Sequence, residues 1–505
     1  MSACSGPPSE TATTVSDEPP QLAPAMALPD NAVANAVSKL DGIAEELMAS
    51  SGIPGMSVAV VHGGKTLYAK GFGVRDVKNG EKVDADTVFQ LASLSKPLAA
   101  TVVAHEVGAG TVRWDTPITD KLPWFALSDP ATTRMLTVAD LFAHRSGLPD
   151  HAGDLLEDLG YDRRAVLERL RLLPLGQFRT SYAYTNFGVT AAAEAVAAAA
   201  AAPWEDLGER VLYRPLGMDS ASSRFADYQS RPNRAVGHVV VDGGYQPGYT
   251  RDPDVQSPAG GVSASVTDLT HWLAMMLADG SYSGAQIVDP EALLPALTPQ
   301  IVSSPPSQPA ERSGFYGYGF NVSTSAAGRM QFSHSGAFSL GAATNVVIIP
   351  SADVAIVALT NATPSGVPET LTAEFTDLVE FGEVRQEWRT LYADAFAGMN
   401  TPFGELVGTQ PPTAPAPARP LSSYTGSYAN DYWGPAAVAE RDGALTLTLG
   451  PRAKAFPLTH WDGDVFTFAL ANENAAPGSV SKATFDGDRL TLEYFDSDKM
   501  GTFTR

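Results

Sequence analysis

The sequence predicts a mixed α/β protein: one sheet assembled from segments near the two ends of a large domain, helices around it, a mainly helical subdomain beside it, and a small β-domain at the C-terminus. Three observations carry this expectation. β-prone runs stand at 55–73 and return at 330–360, helical spacing dominates between them, and a Pro-rich stretch near residue 411 precedes a tail of short strands and Asp-Gly turns. At 505 residues the chain exceeds what one core usually supports.

In chain order, residues 1–30 read as an unfolded tether, because Pro, Ser, Thr, Asp and Glu crowd out bulky apolar residues. From Asn31 to Ser50, Val33, Val37, Leu40, Ile43, Ala44 and Leu47 recur at helical spacing and predict a single docking helix. Gly55 to Val61 and Thr66 to Gly73 form a predicted hairpin around His62-Gly63-Gly64-Lys65. Its Gly-Lys-Thr is not a phosphate loop, since Ala59 stands where such a loop needs glycine. Thr137-Val-Ala-Asp140 predicts a capped helix start, and Thr267 a cap for a helix through Met276. Leu269, Trp272, Leu273, Met276 and Leu277 read as core packing. Strands are predicted at 330–333, 342–349 and 354–360, then a helix from Pro368 to Phe381. The large domain is assigned to 31–404, a stiff Pro-rich linker to 405–420, and a small antiparallel barrel or sandwich to 421–505.

The formal charge of −22, with no basic block, would repel a phosphate backbone and argues against nucleic acid as a partner. No stretch approaches the roughly eighteen consecutive apolar residues of a membrane-spanning helix. The only cysteine, Cys4, leaves no intramolecular disulfide and no cysteine metal site. Its setting, Ser2-Ala3-Cys4-Ser5-Gly6, resembles the end of a bacterial lipoprotein signal without the apolar segment that precedes one. A lipid anchor with an extracytoplasmic location, and a chance cysteine in an unfolded terminus, both stay open. No histidine has another three or four residues away, so neither a metal nor a cofactor is expected.

A serine hydroxyl needs a base within hydrogen-bond reach and donors waiting for the oxyanion. Ser93-Leu-Ser-Lys96 answers the first need if it opens a helix, because positions i and i+3 then share one face. The pattern alone is weak. Ser479 to Lys482 repeats it in a β-prone stretch, where the two side chains point to opposite faces. Tyr184-Thr-Asn186 likewise has a decoy in Tyr428-Ala-Asn430, and His334-Ser-Gly336 has spacing decoys at His62 and His151. His144 reads as a helix-end residue.

Order and context decide. Thr87 to Lys96 (TVFQLASLSK), Leu136 to Leu148 (LTVADLFAHRSGL), Tyr182 to Gly188 (YAYTNFG), Pro215 to Asp219 (PLGMD), Pro258 to Val262 (PAGGV) and Phe332 to Gly336 (FSHSG) follow one another. This series resembles the superfamily of class C β-lactamases and low-molecular-weight penicillin-binding proteins, over roughly residues 35 to 380.

The resemblance implies the penicillin-recognising serine hydrolase fold, an antiparallel sheet flanked by helices. It also implies that Ser93 attacks a carbonyl, that Lys96 helps deprotonate it, and that Tyr184 relays the proton to the leaving group, with its pKa lowered by cationic Lys96 and by His334 when charged. Which of Lys96 and Tyr184 is the first base stays open. The oxyanion donors would be the N–H groups of Ser93 and of Ala337, the latter on an edge strand. Asn186 would orient a substrate amide or the lysine, and Gly336 would let the substrate backbone lie against that strand. His334 replaces the lysine usual in β-lactamases, a feature shared with D-amino-acid peptidases and esterases of the superfamily. The expected activity is therefore hydrolysis of small esters or peptide-like amides through an acyl-enzyme on Ser93. β-Lactam hydrolysis, and a non-catalytic penicillin-acylable sensor, are the alternatives.

Overall fold

The computed structural model describes Pro19 and residues 21–505. Cys4, its lipoprotein-like setting and most of the predicted tether lie outside these residues.

The large sheet has eight strands: β1 (Gly55–His62), β2 (Lys65–Gly73), β3 (Ile301–Ser304), β4 (Gly314–Tyr316), β5 (Asn321–Thr324), β6 (Met330–Phe338), β7 (Ala342–Ile349) and β8 (Val354–Thr360). Their order is β2-β1-β8-β7-β6-β5-β4-β3, and every pairing is antiparallel. Strands from both ends of the domain thus meet at the centre, where β1 pairs with β8. The sequence dictates this placement: β7 and β8 are buried along their whole length, β8 as a run of apolar residues up to Thr360 and β7 broken only by Thr344 and Asn345, whose side chains bond to the Leu91 carbonyl and Ser335. Alternate residues feed two cores. Val58, Val60, Ile349 and Ile356 face the helices Leu40–Ser51 and Val367–Phe381, while Ala59, Val61, Ile348 and Val357 face the helical subdomain.

The single helix expected at 31–50 is two, Ala32–Val37 and Leu40–Ser51. At the break the Ser38 hydroxyl bonds back to the Asn35 carbonyl, an alternative that serine offers a helical backbone. The spacing survives the break, and Val33, Leu40, Ala44 and Leu47 are all buried. The hairpin turns on Gly63 and Gly64, both at positive φ (60° and 67°), as a tight two-residue connection requires. Thr137 and Asp140 form the predicted reciprocal cap. The cap of Val266–Leu277 is Ser265 with Asp268, not Thr267, whose hydroxyl instead reaches the Ala85 carbonyl and Asp86.

β6 extends well past the predicted Ser333, with alternate residues Phe332, His334, Gly336 and Phe338 buried. It is not an edge strand, but β5 pairs only with Met330 to Ser333, which leaves residues 334–338 without a neighbour on that side. The expected edge exists as half of an interior strand.

The C-terminal domain is an eight-stranded antiparallel sheet in sequence order, from Gly426–Tyr428 to Thr502–Thr504. Ala429 and Thr504 exchange backbone hydrogen bonds of 2.7 and 3.0 Å, which nearly closes it into a barrel around Tyr428, Leu447, Phe485 and Phe503. The Pro-rich segment is fastened along it: Ala416 N–H donates to Asp462 (2.6 Å) and the Ala416 carbonyl accepts from Gly463 (2.9 Å). Barrel and large domain are joined by the Tyr161 hydroxyl on the Trp433 carbonyl (2.9 Å) and by the Asn474 amide on Asp158 (2.9 Å).

Candidate active site

Ser93 lies in the 3₁₀ turn Ala92–Leu94, which runs into the buried helix Ser95–Gly108. The chain enters through Ala92 at φ 48°, a left-handed conformation that an alanine holds only where its surroundings impose it. They do so here: Leu91 N–H donates to the Val262 carbonyl (2.8 Å) and Val262 N–H donates to Ser95 Oγ (2.9 Å). The glycines of Pro258-Ala-Gly-Gly-Val262 permit this approach, since a Cβ on Gly261 would meet the Ser257 backbone.

Gly336 has a different reason to be glycine than the expected one. A Cβ there would overlap the Leu91 carbonyl and Thr344 Oγ1 and crowd the Leu94 N–H, so its absence lets β6 press against the turn that carries Ser93. Ala337 follows on the same strand, paired with Ala343. The first N–H groups of a helical turn have no intrahelical partner, which suits the Ser93 N–H to an oxyanion.

Lys96 is fully buried. Its Nζ lies 2.9 Å from Ser93 Oγ, 2.7 Å from Asn186 Oδ1 and 3.0 Å from the Ala259 carbonyl. Burial draws its pKa down to about 7, against the pull of Asp154 and with the help of Arg251. Asn186 Oδ1 and the Ala259 carbonyl oxygen can only accept, so they take two N–H groups, and the position facing Ser93 is a third N–H in the ammonium or a lone pair in the amine. Asn186 owes its orientation to Asp154, which accepts its amide at 2.8 Å and also accepts from His151 at 2.8 Å.

The Tyr184 hydroxyl donates to Ser93 Oγ at 2.9 Å, and Lys96 Nζ lies 4.5 Å from the centre of its ring. Its pKa is not lowered as expected. Burial holds it well above that of a free phenol, outweighing the hydrogen bond to Ser93. His334 is likewise neutral, its pKa pushed down to about 3 by burial and then by the charge on Lys96. Its Nδ1 faces the Ser335 carbonyl at 2.6 Å and so carries the proton, while Nε2 accepts from the Tyr316 hydroxyl at 2.8 Å. Neither nitrogen is free.

The structure therefore brings Ser93, Lys96, Tyr184, Asn186, His334 and Gly336 together between sheet and subdomain, with Ala337 next to Gly336 on β6. The decoys fall away: Ser479 and Lys482 lie on a barrel strand, and Tyr428 sits in the barrel core. Sequence reading missed three contributors. Tyr316 and Asp154 carry no local signal. His144 is more than a helix-end residue: its Nδ1 accepts from Thr185 N–H (3.1 Å), its carbonyl accepts from Ala183 N–H (2.9 Å), and its ring lies 4.4 Å from that of Tyr184. Burial keeps it neutral. Among the described residues no group of three or more His, Cys, Asp or Glu side chains is placed to hold a metal. None of their helices is by itself long and apolar enough to cross a membrane.

Comparison with known proteins agrees with this architecture. The model of the family described as Beta-lactamase matches residues 40–380, and that of a domain of unknown function (DUF3471) matches residues 410–499. The chain is 28% identical over 471 residues to an unguisins hydrolase of Aspergillus violaceofuscus, covering 83% of this chain and 80% of that one. It is 24% identical over 255 residues to the D-alanyl-D-alanine-carboxypeptidase/endopeptidase AmpH of Escherichia coli, covering 50% of this chain and 64% of AmpH. The octameric penicillin-binding protein homologue from Pyrococcus abyssi superposes with a TM-score of 0.59 at 20% identity, over 93% of this chain and 100% of that one. On the fold, the cleft and the match over residues 40–380, this chain belongs to the Beta-lactamase family.

Proposed function

We propose that the protein is a serine hydrolase that forms an acyl-enzyme on Ser93 and acts on small esters or peptide-like amides. The observation that carries this reading is the convergence of Lys96 Nζ and the Tyr184 hydroxyl on Ser93 Oγ, each at 2.9 Å. With its pKa near 7, Lys96 has an available lone pair at neutral pH, whereas Tyr184 stays a phenol, so Lys96 is the first base. Ser93 gives its proton to Lys96 as Oγ bonds to the substrate carbonyl carbon. The oxyanion is held by the N–H groups of Ser93 and Ala337. As the carbonyl–nitrogen or carbonyl–oxygen bond breaks, Tyr184 gives its proton to the leaving group and recovers one from Lys96. Water then attacks the acyl-enzyme with the same groups in reverse order.

A neutral His334 with both nitrogens engaged offers no cationic clamp for a substrate carboxylate, which favours esters and amides over β-lactams. The peptidase relative supports an amide substrate. An extracytoplasmic location rests on the setting of Cys4, and palmitate labelling of wild type against Cys4→Ser tests it. For the chemistry, wild type and Ser93→Ala are treated with a fluorophosphonate probe and the adduct is mapped by mass spectrometry. An adduct on Ser93, with turnover of esters or D-amino-acid amides lost in the variant, is the expected result. Full turnover by Ser93→Ala would end the reading.

A further inference from the structure

The C-terminal barrel meets the end of β6 at the turn between its strands Val465–Asn472 and Ala475–Asp486. Glu473 stands at that turn and is buried. One carboxylate oxygen accepts from Ser339 N–H at 2.8 Å and the other from Leu340 N–H at 3.3 Å. These are the residues that immediately follow β6. The same carboxylate lies 3.3 Å from the Arg251 guanidinium, which also pairs with Glu157 at 2.8 Å and rests 4.6 Å from the centre of the Phe338 ring. Phe338 directly follows Ala337 and packs with Ala92, the residue before Ser93.

Two lines thus run from one barrel side chain to the end of β6, which bears Ala337 and, through Phe338, touches Ala92 beside Ser93. One passes through the two amides, the other through Arg251 and Phe338. A bidentate carboxylate across two successive N–H groups fixes a turn in direction as well as distance. A catalytic donor displaced by a fraction of an ångström loses much of its value, because the transition state is where its bond is strongest. The large domain also ties this turn, through the Gly341 N–H on the Phe338 carbonyl (2.9 Å) and the Thr363 hydroxyl on the Ser339 carbonyl (3.1 Å), but neither bond uses the N–H groups of Ser339 and Leu340, which go to Glu473.

We propose that Glu473 is a positioning residue for the reaction at Ser93, supplied by the C-terminal barrel to hold the end of the oxyanion strand. The inference rests on Ser93 being the nucleophile. It gives the barrel a catalytic purpose: the large domain ties the turn after Phe338 at Gly341 but leaves the N–H groups of Ser339 and Leu340 to Glu473.

The test compares steady-state kinetics of the full-length wild type with Glu473→Gln, Glu473→Asp, Glu473→Ala and Asn474→Ala, using an ester hydrolysed by the wild type. Glutamine keeps the length but has one acceptor, and aspartate keeps the charge but is shorter. Asn474→Ala removes the neighbouring inter-domain bond to Asp158 without touching the strand. The expected result is a roughly tenfold or larger fall in kcat for Glu473→Ala, smaller falls for the glutamine and aspartate variants, KM within about twofold, and wild-type kinetics for Asn474→Ala. The proposal is overturned if the Glu473 variants keep kcat within about twofold, if only KM changes, or if Asn474→Ala loses as much as Glu473→Ala, since domain docking would then be the cause. Ser93→Ala is measured in parallel. Its full activity would remove the nucleophile, whereas an inactive Ser93→Ala beside fully active Glu473 variants removes only the positioning role.

Discussion

Tyr316 donates its hydroxyl to Nε2 of His334 across 2.8 Å, and this bond leaves the imidazole no free nitrogen to offer a substrate. Tyr316→Phe would keep the ring and strand the buried Nε2 without a donor. The expected cost is about 1–3 kcal/mol, read as a lower urea midpoint for the large domain. A variant as stable as wild type would mean that the bond is not formed in solution.

The pH dependence of kcat/KM should have one acid limb, rising through about pH 7 as Lys96 loses its proton. The sign follows from the chemistry: the ammonium cannot take the Ser93 proton and the amine can. His334, with a pKa near 3, should add no limb between about pH 5 and 8. Burial also raises the Glu473 carboxyl to about 7, so a limb near 7 that survives in both His334→Asn and Glu473→Gln belongs to Lys96.

Tyr184→Phe keeps the ring against Lys96 and His144 but removes the proton donor. Acylation by an amide should slow by about 10²- to 10⁴-fold in a stopped-flow burst experiment. An ester with a nitrophenolate leaving group, which needs no proton to depart, should lose far less. Equal losses on both substrates would count against a proton relay through this phenol.

Gly336→Ala would push a methyl into the Leu91 carbonyl and Thr344 Oγ1. Overpacking of this kind costs about 1–3 kcal/mol, and here the part that must yield is the turn carrying Ser93. Fluorophosphonate labelling should fall at least tenfold while the fold survives in circular dichroism. Labelling at the wild-type rate would show that the contact can relax.

Glu369 is buried behind β6, where Ser335 on that strand is its polar side-chain neighbour and no ion pair offsets the loss of water among the described residues. Burial raises its pKa from 4.5 to about 7. Between these values the folded state binds more protons than the unfolded one, so stability declines as pH rises through this window and the penalty is complete above about 7. Glu369→Gln should therefore raise the denaturation midpoint at pH 8 and leave it nearly unchanged at pH 4. A rise of the same size at both values would point to packing rather than charge.

Much of this arrangement was legible in the sequence, because contiguous phrases carry it. Ser93 and Lys96 are one helical turn apart, Tyr184 and Asn186 share one short segment, and β8 announces itself by the apolar run Val354 to Leu359. What escaped depends on distance along the chain. Asp154 matters because it holds Asn186, Tyr316 because it reaches His334, and Glu473 because a separate domain brings it to Ser339 and Leu340. The pKa reading went astray for a related reason: charge can be counted in a sequence, but burial cannot, and burial dominates at Tyr184 and His334. The cap expected at Thr267 lies two residues earlier, at Ser265, because Asp268 stands three residues after that serine and completes the reciprocal cap.

β6 belongs to the interior of its sheet for its first half and to an edge for residues 334–338. Unpaired strand edges invite other chains, and proteins commonly blunt them with charge, proline or a covering loop. Here the bare stretch has only five residues, roughly 17 Å, too short to template a second sheet and long enough for a brief extended peptide. A chain laid there would be gripped through its backbone, which all peptides share, so selectivity among side chains would have to come from the walls of the cleft and not from the strand. The brevity of this stretch, whose alternate residues are buried, limits how many backbone groups any extended chain could pair with there.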